Sequence, residues 1–162
     1  MTPIILTSMA DMHNLTADTI IDVRSPAEYA EDHLPGAINL PVLNDIERAE
    51  VGAIYKQVSP FAARKIGGAL VAHNTATHLR GALADKDGAW QSLIYCWRGG
   101  QRSSAFSTIL DQVGWRVKLL QGGYQSYRRE IVKTLYKTPL PHRLMLISGS
   151  TGTAKTALLH QL

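Results

Sequence analysis

Hydrophobic positions along the chain fall into short runs separated by polar turns, and their period changes from run to run. Thr19 to Val23 (TIIDV) is a β-branched run ending in a polar turn, which predicts a buried strand. Ser25-Pro26 follows as an N-cap and first helical residue, and Glu28, three residues after Ser25, completes a capping-box pattern. Pro35-Gly36 breaks that short helix, and Ala37 to Leu40 (AINL) predicts a second strand ahead of Pro41. From Asn44 to Leu83 the pattern is helical, interrupted at Ser59-Pro60, with Gly67 and Gly68 weakening the second part. Leu93 to Tyr95 is an apolar strand leading directly into Cys96. Ser103 to Val113 has helical spacing, with Phe106, Ile109, Leu110 and Val113 on one side and Gly114 as the stop. Val117 to Leu120 is a further strand, closed by Gly122-Gly123, and Tyr124 to Tyr136 is a helix. Strands alternating with helices predict an α/β fold: an open, mainly parallel sheet flanked by helices.

The pattern changes near the C-terminus. Thr138, Pro139 and Pro141 punctuate the chain like a linker, and a new apolar strand is expected over Leu144 to Ile147, before GSTGTAKT. Residues 1–138 are therefore expected to form one domain, and 139–162 a linker with the truncated start of a second. The chain stops about two turns into the helix expected there.

Composition narrows the class. A length of 162 residues, 45% hydrophobic and 19% charged, excludes a disordered chain. No apolar run is long enough to span a bilayer, and no secretory signal pattern opens the sequence, so a membrane role is not expected. The single cysteine, Cys96, excludes an intramolecular disulfide and fits a reducing cytoplasm. The net charge of +4 is unevenly spread. Arg116, Lys118, Arg128, Arg129, Lys133, Lys137 and Arg143 stand against one acid in that segment, Glu130. Such a segment suits either a polyanion such as RNA or a solvated helix face.

Candidate chemistry centres on YCWRGGQRSS. Cys96 lies where a strand ends and a helix is expected to begin at Ser103, the edge at which α/β sheets bind ligands. Backbone N–H groups in such a loop form an anion-binding nest, and the following helix adds partial positive charge. Gly99 and Gly100 allow positive backbone angles, Arg98 and Arg102 add full charges, and Gln101 and Ser103 complete the stretch. The same field favours a thiolate. Trp97 either stacks on an incoming base or packs under the loop. A lone buried cysteine is often an inert core residue, but two arginines and two glycines make poor core material. Without a second cysteine, Cys96 must pass a bound group to another molecule or lose it to water.

These residues carry a resemblance. IIDVRSPAEYAEDHLPGAINLP resembles the opening motif of the rhodanese family, CWRGGQRS its active-site loop, and KLLQGGYQSYRR the LxGG segment that follows. The resemblance implies Cys96 as the nucleophile, with Asp22 and Arg24 as structural supports. Sulfur-transferring members have four residues between cysteine and closing arginine, whereas five separate Cys96 from Arg102. That extension is similar to the rhodanese-fold phosphatases, whose wider loop admits a tetrahedral phosphate.

Gly149, Ser150, Thr151, Gly152, Thr153, Ala154, Lys155 and Thr156 match the phosphate-binding loop (P-loop) pattern, except that Ala154 replaces the glycine before the lysine. Lys155 would contact phosphate oxygens, and Thr156 could hold magnesium. Together with IYKQVSPFAARKIGGALVAHN, this arrangement resembles the N-terminal part of the tRNA 2-selenouridine synthase family, so a fragment is expected. That resemblance implies exchange of sulfur for selenium in wobble 2-thiouridine of tRNA. Selenophosphate, supplied by a selenophosphate synthetase, would be the donor, with a geranylated intermediate and geranyl diphosphate at the phosphate loop. The rhodanese-like part would need no bound cofactor. A plain thiosulfate or persulfide sulfurtransferase, and a rhodanese-fold phosphatase or arsenate reductase, remain alternatives. His33, His73, His78, His142 and His160 lack metal-ligand spacing and are expected at surface or packing positions, and Trp90 and Trp115 in the core or at strand edges.

Overall fold

The computed structural model describes residues 1–137, 139, 143 and 145–161. Five short strands form one parallel sheet: β1 (Thr2–Ile4), β2 (Thr19–Asp22), β3 (Ala37–Asn39), β4 (Gln91–Tyr95) and β5 (Arg116–Leu120), in the order β1-β5-β4-β2-β3. The helices are α1 (Pro26–Glu31), α2 (Asp45–Gln57), α3 (Pro60–Arg80), α4 (Gln101–Val113), α5 (Gly123–Tyr136) and α6 (Lys155–Leu159), with a 3-10 helix at Met9–Asn14. None among the described residues is long and apolar enough to cross a membrane.

A parallel sheet is buried on both faces, so its strands are nearly all apolar and each face takes alternate residues. Ile21, Ile94, Cys96 and Val117 join one core with Val71, Phe106 and Leu110 of α3 and α4. Leu93, Tyr95 and Leu120 join the other with Tyr124 and Tyr127 of α5. Adjacent residues Tyr95 and Cys96 therefore belong to opposite layers. Trp90 and Trp115 are buried edge to face, 5.1 Å between ring centroids.

Local chemistry sets the helix ends. The Asn44 side chain accepts from the Glu47 N–H while Glu47 accepts from the Asn44 N–H, and Ser59 Oγ accepts from the Ala62 N–H ahead of Pro60. Helix α3 runs through Gly67; a Cβ there would meet Val51 at 3.3 Å, so the glycine lets α2 pack closely. Helix α4 begins at Gln101, two residues before the expected Ser103, because Gly100 serves as its N-cap. Its buried side is Ser103, Phe106, Ser107 and Leu110; Val113, expected on that side, is exposed in the last turn. The N-terminal strand β1, which no sequence pattern announced, pairs with β5 at the sheet edge and packs Ile4 against the second core.

The strand expected over Leu144 to Ile147 is not formed in its described part. Met145 and Leu146 are 86% and 92% exposed, and no neighbouring strand supplies a ladder. Leu144 itself, together with Thr138, Pro141 and His142, lies outside the described residues.

The order of strands reverses between β2 and β4, whose C-terminal ends pair in register, Asp22 beside Tyr95. The loops after Asp22 and Tyr95 therefore leave the sheet side by side at its topological switch point, where parallel sheets place their ligands.

Candidate active site

Arg24 is 1% exposed, and its Nε and Nη2 donate to the Asp22 carboxylate at 2.9 and 2.7 Å. Nη2 also donates to the Asp32 carbonyl at 2.6 Å. The guanidinium lies 4.1 Å from the centroid of the Tyr124 ring, with Tyr95 and Trp97 rings at 5.8 Å. Burial works against its charge, but the Asp22 bond and field outweigh that and raise its pKa above the ordinary value. Arg24 thus joins Asp22 at the end of β2 to the Asp32 carbonyl after α1 and to the Tyr124 ring of α5.

Cys96 is 3% exposed. Its Sγ accepts from the Gly100 N–H at 3.3 Å, and Ser103 Oγ lies 3.1 Å away. The single Ser103 hydroxyl proton serves either the sulfur or the Gly100 carbonyl, 3.2 Å off. The thiol therefore sits at the N-terminus of a thirteen-residue helix with donors facing it. Gly99 uses its freedom at φ 68°, whereas Gly100, expected to do the same, is extended at φ −98°. Helix capping needs an extended residue there.

The Gly122-Gly123 pair closes the loop from behind. The Tyr124 N–H donates to the Cys96 carbonyl at 2.8 Å and the Gln125 N–H to the Trp97 carbonyl at 3.1 Å. A Cβ on Gly123 would stand 2.2 Å from the Cys96 oxygen and 2.6 Å from the Gly99 nitrogen, and its φ is +55°. Only glycine permits this approach.

The two arginines differ. Arg98 is exposed and has no hydrogen bond or ion pair among the described residues. Arg102 lies in the first turn of α4 and donates bidentately to Glu28, at 2.7 and 3.3 Å. Glu28 also receives Arg48 Nε at 2.9 Å and the Ser25 N–H at 3.1 Å. Burial alone would raise the Glu28 carboxyl, but Arg102, the Ser25 N–H and Arg48 together bring it down to about 2. The pattern Ser25-x-x-Glu28 identified Glu28 only as a helix-capping residue. Its partner Arg102 is 74 positions away, and no local signal joins them.

Trp97 stacks on Tyr124, with centroids 5.4 Å apart and planes at 29°. The packing reading of Trp97 thus holds for this contact. Its indole also lines a cavity of about 960 Å³ with Gln125, Arg128, Arg129, Lys133 and Lys137 of α5. The Tyr124 hydroxyl bonds the Asp32 carboxylate, and Arg128 Nη1 reaches that hydroxyl at 3.2 Å. Tyr124 and Asp32, like Glu28, were not picked out from sequence as site residues. The basic segment from Arg116 to Arg143 does not form one face. Arg116 starts β5, at the sheet end opposite the thiol, and Lys118 Nζ is bonded to Thr16 at Oγ1, 2.6 Å, and at its carbonyl.

The second motif lies apart in sequence. Ala154, at the glycine position of the P-loop pattern, has φ 56°, the one positive value outside glycine among the described residues. Lys155 opens the short helix α6, and its Nζ donates to the Gly149 and Ser150 carbonyls at 2.9 and 2.7 Å. Thr153 Oγ1 bonds the Ser150 carbonyl. Among the described residues no three His, Cys, Asp or Glu side chains gather as a metal site. His33 stacks on Tyr29 and His78 bonds the Pro41 carbonyl, both packing roles.

A parallel sheet with a buried thiol at its switch point, closed behind by a glycine pair, defines a class. The model of the rhodanese-like domain matches residues 6–130, and the chain belongs to that family. Within it, the chain is similar to tRNA 2-selenouridine synthases. It is 39% identical to that of Nitrosomonas europaea over 148 residues, covering 90% of this chain and 38% of the relative. The synthase of Bdellovibrio bacteriovorus is 37% identical, covering 88% and 38%. The chain thus spans about two fifths of the length of these relatives. Among solved structures it resembles the N-terminal domain of a candidate ATP/GTP-binding protein from Clostridium difficile 630. That likeness has a TM-score of 0.67 at 33% identity and covers 81% of this chain and 99% of that one.

Proposed function

We propose that the chain carries out selenium-for-sulfur exchange on tRNA, converting wobble 2-thiouridine to 2-selenouridine with selenophosphate, and that Cys96 is its nucleophile. The observation that carries the reading is the single thiol, with Gly100 and Ser103 donors at its sulfur, in a chain 36–39% identical to proteins named for that product. Five residues between Cys96 and Arg102 suit a tetrahedral phosphorus centre. The step assigned to Cys96 is attack on the phosphorus of a selenium-bound phosphate. A P–S bond forms as the P–Se bond breaks, and selenium leaves with the electron pair. Water then releases phosphate from the thiol, with no net oxidation or reduction. Arg98, the loop cation with no partner among the described residues, meets the phosphate oxygens; Arg102 reaches them by leaving Glu28. At the second motif, Lys155 turns from its own loop carbonyls to a diphosphate, that of geranyl diphosphate.

Intact-mass analysis after rapid quench tests the step. Selenophosphate should add a phosphoryl group to the unsubstituted chain and nothing to Cys96→Ser. A selenium adduct in its place would mean that the thiol attacks selenium rather than phosphorus, and a sulfur adduct formed only with thiosulfate as donor would identify plain sulfurtransferase chemistry. The same adduct on Cys96→Ser would remove Cys96 from the reaction.

A further inference from the structure

Trp97, next to the nucleophile, also lines a cavity of about 960 Å³, and four of the other seven residues in that lining are basic: Arg128, Arg129, Lys133 and Lys137. Resting on the reading that the substrate is a tRNA, we infer that the groove from Trp97 along α5 is the track for the single-stranded RNA on either side of the target base. Arg129 and Lys133 on α5 and Lys137 at its C-cap recur every fourth residue, so their stems are spaced by about 6 Å along one face. That spacing is comparable to the separation of successive phosphates along an extended strand. Arg128 joins them, and Glu130 is the one acid in the lining, already paired with Lys133 at 3.2 Å. Arg129 and Lys137 have no side-chain partner among the described residues.

The occupant follows from three features. A row of cations suits a phosphate backbone rather than a mixed protein surface. An indole at the end of the row offers a stacking platform that any base accepts. The thiol beyond it lies in a closed loop, 3% exposed, so a base reaches it only when out of a helix. A loop segment of RNA satisfies all three. Arg116 and Lys118, which sequence placed in the same basic segment, take no part, because β5 carries Arg116 to the far end of the sheet and Thr16 engages Lys118.

The test is fluorescence anisotropy of the 162-residue chain with a labelled RNA anticodon stem-loop across a salt series. Arg129→Gln/Lys137→Gln should flatten the slope of log affinity against log salt by about 1.4, at about 0.7 per contact on a single strand. Trp97→Leu should weaken binding about 5- to 150-fold, the cost of one lost stacking contact. Arg116→Gln, which removes the same charge elsewhere, should change neither. The inference is overturned if the unsubstituted chain does not bind the stem-loop, if a fully paired RNA duplex binds as well, or if Arg116→Gln matches the groove variants. Cys96→Ser separates the two ideas. If it keeps the phosphoryl adduct, the catalytic reading fails and the groove stands. If the groove variants bind normally while the adduct still depends on Cys96, the groove fails and the reading stands.

Discussion

Replacing Glu28 by glutamine removes the charge that joins three helices around the Cys96 loop. In the native chain one carboxylate receives Arg102 from α4, Arg48 from α2 and the Ser25 N–H at the start of α1. Its carboxyl is held at about 2 rather than the ordinary 4.5. At about 1.4 kcal/mol per pH unit, that depression corresponds to an upper value of about 3 kcal/mol. Arg48 is 50% exposed and its share is screened by solvent, so about 2 kcal/mol is the working figure. Glutamine keeps an acceptor for the Ser25 N–H, so the loss belongs mainly to the arginines.

The sign follows from linkage. A depressed carboxyl stabilises the fold fully above about pH 4.5, and that contribution is lost as pH falls through about 2. Urea unfolding of native and Glu28→Gln chains should therefore differ by about 2 kcal/mol at pH 7, a fall in Tm of about 4–8 °C. By pH 3 the difference should have shrunk by more than half. A double-mutant cycle with Arg102→Met should show coupling of about 1 kcal/mol or more. A loss that stays constant from pH 7 to pH 3, or coupling near zero, would refute the assignment of the stabilisation to this ion pair.

Other perturbations probe the rest of the site. Gly123→Ala places a Cβ against the Cys96 carbonyl and should cost more than about 3 kcal/mol while raising the reactivity of Cys96 toward a disulfide reagent. Unchanged thiol kinetics would show that the glycine pair does not set the loop. Asp22→Asn leaves the buried Arg24 guanidinium without its counter-charge and should cost about 3–5 kcal/mol in denaturant unfolding. A cost under about 1 kcal/mol would mean that the Asp32 carbonyl and the Tyr124 ring suffice. Tyr95→Phe removes the hydroxyl that accepts from the buried Leu34 N–H at 3.1 Å, and should cost about 1–3 kcal/mol without altering Cys96 chemistry.

Much of this architecture is legible locally because its signals are local. Ser25, Pro26 and Glu28 announce α1, Ser59-Pro60 announces the start of α3, and Gly114 stops α4 at φ 106°. Two apolar layers need near-continuous strands, which TIIDV and LIY display. The thiol loop is equally visible, since Cys96, its glycines and its arginines are consecutive. The strand expected before GSTGTAKT shows the limit of such signals: an apolar run becomes a strand only where a neighbour pairs with it, and Met145 to Ile147 has none.

What the sequence by itself determined is most of the elements and the thiol loop, because helix caps, strand alternation and a lone cysteine among arginines depend on neighbours in the chain. Only the tertiary structure decided how the site is held and approached. Parallel pairing of β2 with β4 brought Asp22 beside Tyr95, and the closed fold gave Arg102 at the start of α4 to Glu28 of α1. Docking of Gly123 behind the loop then set Trp97 at the mouth of a basic groove. Each of these contacts joins residues far apart along the chain, and its strength lies in burial and charge that exist only after the layers close.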